Sequence, residues 1–261
     1  TTSKPTAAMS PLNFVAPTEF VELPSQGQGY AEGHPLNGKD VIEIKYMTAK
    51  EEDILTSVTL LKKGIAVDRF MQNIICDKDI SVDDLLIGDK NAILIAARAS
   101  GYGPNYETQV VCPACSSKSE MSFDLTSPKI MHSRYDDDLG IEKTTAGTFK
   151  IKMPYSKFTV EVKLMTGKDE KYITQLNKNK AKGGLSETTM TDQYKRMIVS
   201  VENLTEKSTI DHYVDNMPLR DARHLRLAYR MVSPDIKIAQ DFECSTCGHE
   251  QELEVPFGAD F

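Results

Sequence analysis

The sequence predicts an α+β protein in which two duplicated helix-plus-hairpin units are tied together by paired cysteines. Three observations predict it: the order strand, helices, hairpin can be read twice along the chain, short motifs recur in that order, and each reading ends in a Cys-x-x-Cys turn. Ile42-Glu43-Ile44-Lys45-Tyr46-Met47-Thr48-Ala49-Lys50-Glu51-Glu52 aligns with Val160-Glu161-Val162-Lys163-Leu164-Met165-Thr166-Gly167-Lys168-Asp169-Glu170, and six of the eleven pairs are identical. Asp89, Ile93, Ile95, Ala96 and Arg98 align with Asp221, Leu225, Leu227, Ala228 and Arg230 at an offset of 132, which also carries Cys112 and Cys115 onto Cys244 and Cys247. Two copies suggest a pseudo-twofold pair, since a stacked solenoid needs at least about three repeats.

Each element has its own reason. Residues 1–19 are rich in Thr, Pro, Ala and Ser without periodicity, which reads as a flexible arm. Glycine and proline at high density dictate an extended, turning segment over 20–39. Val41, Ile42, Ile44 and Tyr46 alternate with Glu43 and Lys45 as in a strand. Thr48-Ala49-Lys50-Glu51 has the form of a capping box, a threonine hydroxyl facing backbone N–H groups and a glutamate reaching back. Ile54, Leu55, Val58 and Leu61 continue at helical spacing to a stop at Gly64. Further helices are expected over 66–76 and 89–99, then strands over 106–111 and 121–125 about Cys112-Pro113-Ala114-Cys115. The resulting organisation is an arm at 1–19, the Gly/Pro segment at 20–39, a first unit at 40–127, a linker at 128–147, a second unit at 148–257 and a tail at 258–261. The surplus length of the second unit is assigned in part to a lysine-rich loop over 177–184.

Composition narrows the function classes. A chain of 261 residues, 40% hydrophobic and 26% charged, is an ordinary globular composition, which excludes wholesale disorder, a fibrous repeat and a disulfide-dense miniprotein. Its longest purely apolar run, 92–97, is far short of the roughly 20 residues that span a bilayer, so a soluble protein of the reducing cytosol, or of an assembly made there, is expected. A net charge of −7 argues against non-specific binding to phosphates, and the absence of Trp removes the best stacking platform for single strands.

The cysteine pairs carry the sharpest chemistry. A Cys-x-x-Cys turn at a hairpin tip wraps two thiolates around one side of a metal ion, and two such turns complete a tetrahedral site. Cys112, Cys115, Cys244 and Cys247 are therefore the candidate ligands of one structural Zn²⁺, an ion that suits soft thiolates and brings no redox chemistry. In a reducing compartment these thiols do not persist as disulfides. With 128 residues between the pairs, the site staples the two units together in a zinc-ribbon-like arrangement. A thioredoxin-like redox motif is the rival reading, but no helix begins at either pair. Catalytic zinc needs an open position, and the deaminase pattern needs an upstream His-x-Glu that is absent. His249 is close enough in sequence to displace a ligand. Cys76 is unpaired and reads as a small buried hydrophobe.

Other signals are weak. Gly27-Gln28-Gly29 with Gly33 has neither the spacing nor the flanking strand and helix of a dinucleotide loop. Asp136-Asp137-Asp138 reads as a solvated acidic loop. His212 and His224 fall on expected helices. Asp89 and Asp221 fit helix N-terminal capping. No nucleophile, base and orienting group come together, so no catalytic residues are assigned and a non-enzymatic protein is expected.

A set of motifs does point to a family. Leu23-Pro24-Ser25 with Gly29-Tyr30 and Gly33-His34-Pro35-Leu36 is one, and Ile44-Lys45-Tyr46-Met47-Thr48-Ala49-Lys50-Glu51-Glu52-Asp53-Ile54-Leu55 is another. Leu86-Ile87-Gly88-Asp89-Lys90-Asn91-Ala92 leading to Tyr102-Gly103, then Cys112-Pro113-Ala114-Cys115, complete it. Together they make the chain resemble the baseplate hub subunit family of T-even-type, contractile-tailed bacteriophages, over residues 23–257. The resemblance implies a non-enzymatic hub component made in the host cytoplasm, either built into the virion tail baseplate or guiding hub assembly without being retained. It further implies other hub, tube or wedge proteins as partners, several copies in a symmetric assembly, no membrane and no nucleic acid. The arm and residues 23–36 are the segments expected to dock on neighbours. The competing class is a zinc-ribbon nucleic-acid-binding or regulatory protein, whose discriminator is a salt-dependent shift with DNA or RNA.

Overall fold

The computed structural model describes residues 16–134, 139–183 and 188–255. The chain opens with β1 (Thr18–Glu22), which pairs antiparallel with β2 (Val41–Lys45). Thr18 and Glu19 therefore belong to a strand rather than to the arm; their alternation with the inward Val21 is too short to register as a pattern. Between the strands the Gly/Pro segment folds back on itself. Gly27 has φ +69°, and a methyl there would sit 2.3 Å from the Lys39 nitrogen, so glycine alone fits this close approach.

Then come α1 (Ala49–Leu55), α2 (Val58–Lys63) and α3 (Ala66–Ile74). The capping box at Thr48 and Glu51 is present. The apolar spacing through Ile54, Leu55, Val58 and Leu61 spans two helices, because the chain breaks at Thr56 and Ser57; Gly64 ends the second in the left-handed conformation, φ 69°. After a 3₁₀ turn at Val82–Asp84, α4 (Ile87–Tyr102) runs through the core and leads to the hairpin β3 (Asn105–Val111) and β4 (Lys118–Asp124).

The segment read as a linker holds two strands, β5 (Lys129–Met131) and β6 (Ile141–Lys143). The latter joins β7 (Phe149–Lys152), β8 (Thr159–Val162) and, after α5 (Gly167–Lys182) and α6 (Thr189–Met197), β9 (Ile198–Val201) in a sheet of order β6-β7-β8-β9. Residues 177–182 are helical, not loop: Lys180 reaches Asp192 on α6 at 2.6 Å, so its charge is used across a helix pair. The chain ends through α7 (Lys207–Asp215), α8 (Leu219–Val232), β10 (Asp235–Lys237), and the hairpin β11 (Ala239–Glu243) and β12 (Glu250–Glu254).

The same local devices occur in both halves. The Glu51 carboxylate, buried at 0% exposure, takes the Thr48 N–H at 2.9 Å and Lys45 Nζ at 2.9 Å; Asp169, at 1%, takes the Thr166 N–H at 3.1 Å and Lys163 Nζ at 2.7 Å. The Leu23 N–H donates to the Asp40 carbonyl at 2.7 Å, and the Met153 N–H to the Phe158 carbonyl at 2.8 Å. Asp89 and Asp221 begin α4 and α8, but neither is a local cap. Asp89 accepts from the Ser25 N–H at 2.9 Å and the Ser25 hydroxyl at 2.6 Å, and Asp221 from the Tyr155 and Ser156 N–H groups at 2.8 and 2.9 Å. Each aspartate thus fastens the loop that follows the first strand of its own half.

The halves share one hydrophobic core that runs from Val21 to Val255. They also meet along a backbone seam: the Ile87 N–H donates to the Met165 carbonyl at 3.2 Å and the Gly167 N–H to the Leu85 carbonyl at 2.9 Å. β5 pairs with β10 across the same junction. Gly88 allows α4 to lie against Pro234, since a methyl there would be 2.1 Å from the Pro234 oxygen. These contacts hold the bodies of the halves together without the cysteines.

Candidate metal centre

The two cysteine turns are built alike. In the first, the Cys112 N–H donates to the Ser117 carbonyl at 2.8 Å and the Ser116 N–H to the Cys112 carbonyl at 2.8 Å. In the second, the Cys244 N–H donates to the His249 carbonyl at 2.9 Å and the Gly248 N–H to the Cys244 carbonyl at 2.8 Å. The residue after the second cysteine is left-handed in both, Ser116 at φ 60° and Gly248 at φ 69°. That reversal turns both sulfurs of each pair to one side.

β4 packs beside β11, the Asp124 N–H reaching Gln240 Oε1 at 3.4 Å, so the two turns face each other. Cys112 Sγ lies 3.8 Å from Cys247 Sγ, Cys115 Sγ lies 3.7 Å from Cys244 Sγ, and all four sulfurs fall within 4.8 Å of one another. Four thiolates around one ion at a metal–sulfur bond of about 2.3 Å stand about 3.8 Å apart along each tetrahedral edge. The cysteines are free thiols, with no disulfide among them. Cys112 and Cys244 are buried while Cys115 and Cys247 reach the surface, which leaves an entry path for an ion. The donor set therefore fits one soft tetrahedral metal ion.

The local electrostatics favour thiolate at two of the sulfurs. The Ser117 hydroxyl, 3.3 Å from Cys244 Sγ, and the Cys247 and Thr246 amides hold the Cys244 thiol down to about 5. Cys115 is likewise lowered, first by Ser117. At Cys247 the His249 amide favours thiolate, but hydrogen bonding with Cys115, burial and the other sulfurs push it up to about 12. Four thiols packed this closely cannot all ionise unless a cation joins them.

The remaining candidates stay apart from this cluster. His249 turns its Nε2 to Gln251 at 3.2 Å. Cys76 sits just past α3, half-buried rather than in the core, its N–H on the Glu43 carbonyl. His212 is exposed on α7, and His224 on α8 contacts the Leu139 carbonyl at 3.1 Å. Asp136, Asp137 and Asp138 lie outside the described residues, as do the arm before residue 16 and the tail. Spacing alone identified the four cysteines; Ser117, which touches both Cys115 and Cys244, carried no sequence signal of its role.

In this α+β chain two distant hairpins bring four thiols to one point, a cluster that could hold one metal ion. A family model described as T4 bacteriophage base plate protein matches residues 16–256, and the chain belongs to that family. No curated protein and no solved structure matches it. Among the described residues no helix is long and apolar enough to cross a membrane.

Proposed function

We propose that this chain is a structural subunit of the hub of a contractile phage tail baseplate, stabilised by one Zn²⁺ on Cys112, Cys115, Cys244 and Cys247. The observation that carries the reading is the four-sulfur cluster in a chain of the base plate family. When bound, zinc supplies a cross-link without redox chemistry. The chain's own groups do the rest: the Ser117 hydroxyl and the turn amides stabilise thiolate, and the paired turns hold the hairpins side by side. The protein acts by shape, as a non-enzymatic scaffold with other hub, tube or wedge proteins as neighbours, located in the virion tail.

The same reading makes the halves a duplicated pair. It is supported by the matched fastenings of Asp89 and Asp221 and by Lys45–Glu51 beside Lys163–Asp169. The first unit then starts at β1, because the loop that Asp89 fastens lies before residue 40.

The test is depletion of this chain during infection, followed by electron microscopy of tails and peptide mass spectrometry of purified particles. Tails without complete baseplates, restored by the wild-type chain, are expected. Normal, infectious particles made without the chain would overturn the structural role. Its absence from otherwise rescued particles would turn the reading to an assembly factor.

A further inference from the structure

The helix α8 and the hairpin β11–β12 carry opposite charge. On α8, Leu219, Arg223, Arg226, Leu227 and Arg230 share one exposed face at the three-and-four spacing of a helix, and Arg220 borders it. Among the described residues none of these arginines has a carboxylate within ion-pair distance. Leu219 is 74% exposed and Leu227 50%.

The hairpin is its complement. Register pairs Asp241 with Glu252 and Glu243 with Glu250, so four exposed carboxylates stand directly opposite one another on one face. Like charges placed opposite across strands are destabilising. Among the described residues, Glu254 alone of the hairpin's carboxylates has a cation within ion-pair distance, Lys237. Asp241 to Glu243 and Glu250 to Glu252 each span two residues, about 7 Å along the strands, and Arg223 to Arg230 rise about 10 Å along the helix. The two faces are complementary in sign.

We propose that the arginine face of α8 on one molecule docks on the carboxylate face of the β11–β12 hairpin of a second copy, head to tail. Such a contact is heterologous, so its repetition closes a ring or continues as a filament. The docking goes beyond the structural-subunit reading and does not depend on the metal's identity.

The test is sedimentation velocity of the full chain at about 0.1 M and about 1 M salt. At the lower value the Debye length is about 10 Å, so the net charges of whole molecules are screened while groups in contact are not. Self-association that weakens at least about tenfold at the higher salt is expected. Arg223→Glu with Arg226→Glu, and separately Glu250→Lys with Glu252→Lys, should each abolish it with unchanged melting. An equimolar mixture of the two variants should restore association through the two inverted faces. A wild-type chain that stays monomeric at every concentration, variants that still associate, or a mixture that does not would each overturn the proposal.

Discussion

The Tyr30 hydroxyl donates to Asp89 Oδ2 at 2.6 Å, fastening the Gly/Pro segment to the first turn of a helix 59 residues further on. The same hydroxyl accepts from the Leu86 N–H at 3.2 Å, so one phenol closes both the loop and the entry to α4. Asp89→Ala would strand three donors, the Ser25 N–H, the Ser25 hydroxyl and the Tyr30 hydroxyl, in the core. A loss of about 3–5 kcal/mol is expected by urea unfolding, and about 1–2 kcal/mol for Tyr30→Phe. A loss under about 0.5 kcal/mol at Asp89 would contradict this role.

Stability should fall in acid through Glu51. Burial alone would raise its pKa, but the Thr48 hydroxyl and Lys45 outweigh it and hold the carboxyl at about 2, against 4.5 unperturbed. A folded-state pKa below the unfolded one gives stability that is complete above about 4.5 and lost as pH falls toward about 2, of order 3 kcal/mol. Asp169 is shifted in the same direction, with Lys163 and Arg196 as its cations. Equilibrium unfolding across this pH range should show a limb that Glu51→Gln flattens; an unchanged limb would exclude the capping carboxylate as its source.

Two glycines of α4 should respond with opposite severity. A methyl at Gly88 meets the Pro234 carbonyl at 2.1 Å, a backbone group that cannot turn away. A methyl at Gly101 meets Met47 Sδ at 2.5 Å, the end of a flexible side chain. Gly88→Ala should cost about 3 kcal/mol, whereas Gly101→Ala should change stability by less than about 1 kcal/mol because helix propensity offsets the crowding. Thermal melting of the two variants checks the difference.

Loss of the metal should free the hairpins and leave the bodies of the halves joined. Cys115→Ser should lower the melting temperature by about 6–12 °C, the equivalent of about 3 kcal/mol in a chain of this size. Hydrogen exchange should accelerate over 105–124 and 239–254 and stay slow at the Ile87–Met165 seam. Uniform acceleration would show that the staple, not the seam, holds the halves.

The four cysteines that the structure gathers within 4.8 Å of one another are legible in the sequence, because Cys-x-x-Cys spacing is local within each pair and both pairs sit in short hairpins. The capping box at Thr48 was equally legible for the same reason. Asp89 was misread as a cap because its partners, Ser25 and Tyr30, are dozens of residues upstream. The α1–α2 break leaves no trace in the sequence pattern, because Val58 and Leu61 keep helical spacing across Thr56 and Ser57. Strand β5 was invisible, since its three residues become a strand only against β10, more than a hundred positions away. Residues 177–182 looked like a loop because a run of Lys and Asn has little amphipathic pattern, yet Lys180 finds Asp192 on the next helix.

Four cysteines from two distant hairpins are positioned to share one metal ion. Elemental analysis of the purified chain beside its native mass tests it most directly. One zinc per chain is expected, released together with four reactive thiols when the protein is denatured in chelator. Protein purified under reducing, metal-replete conditions that carries no metal and shows four titratable thiols while folded would contradict it.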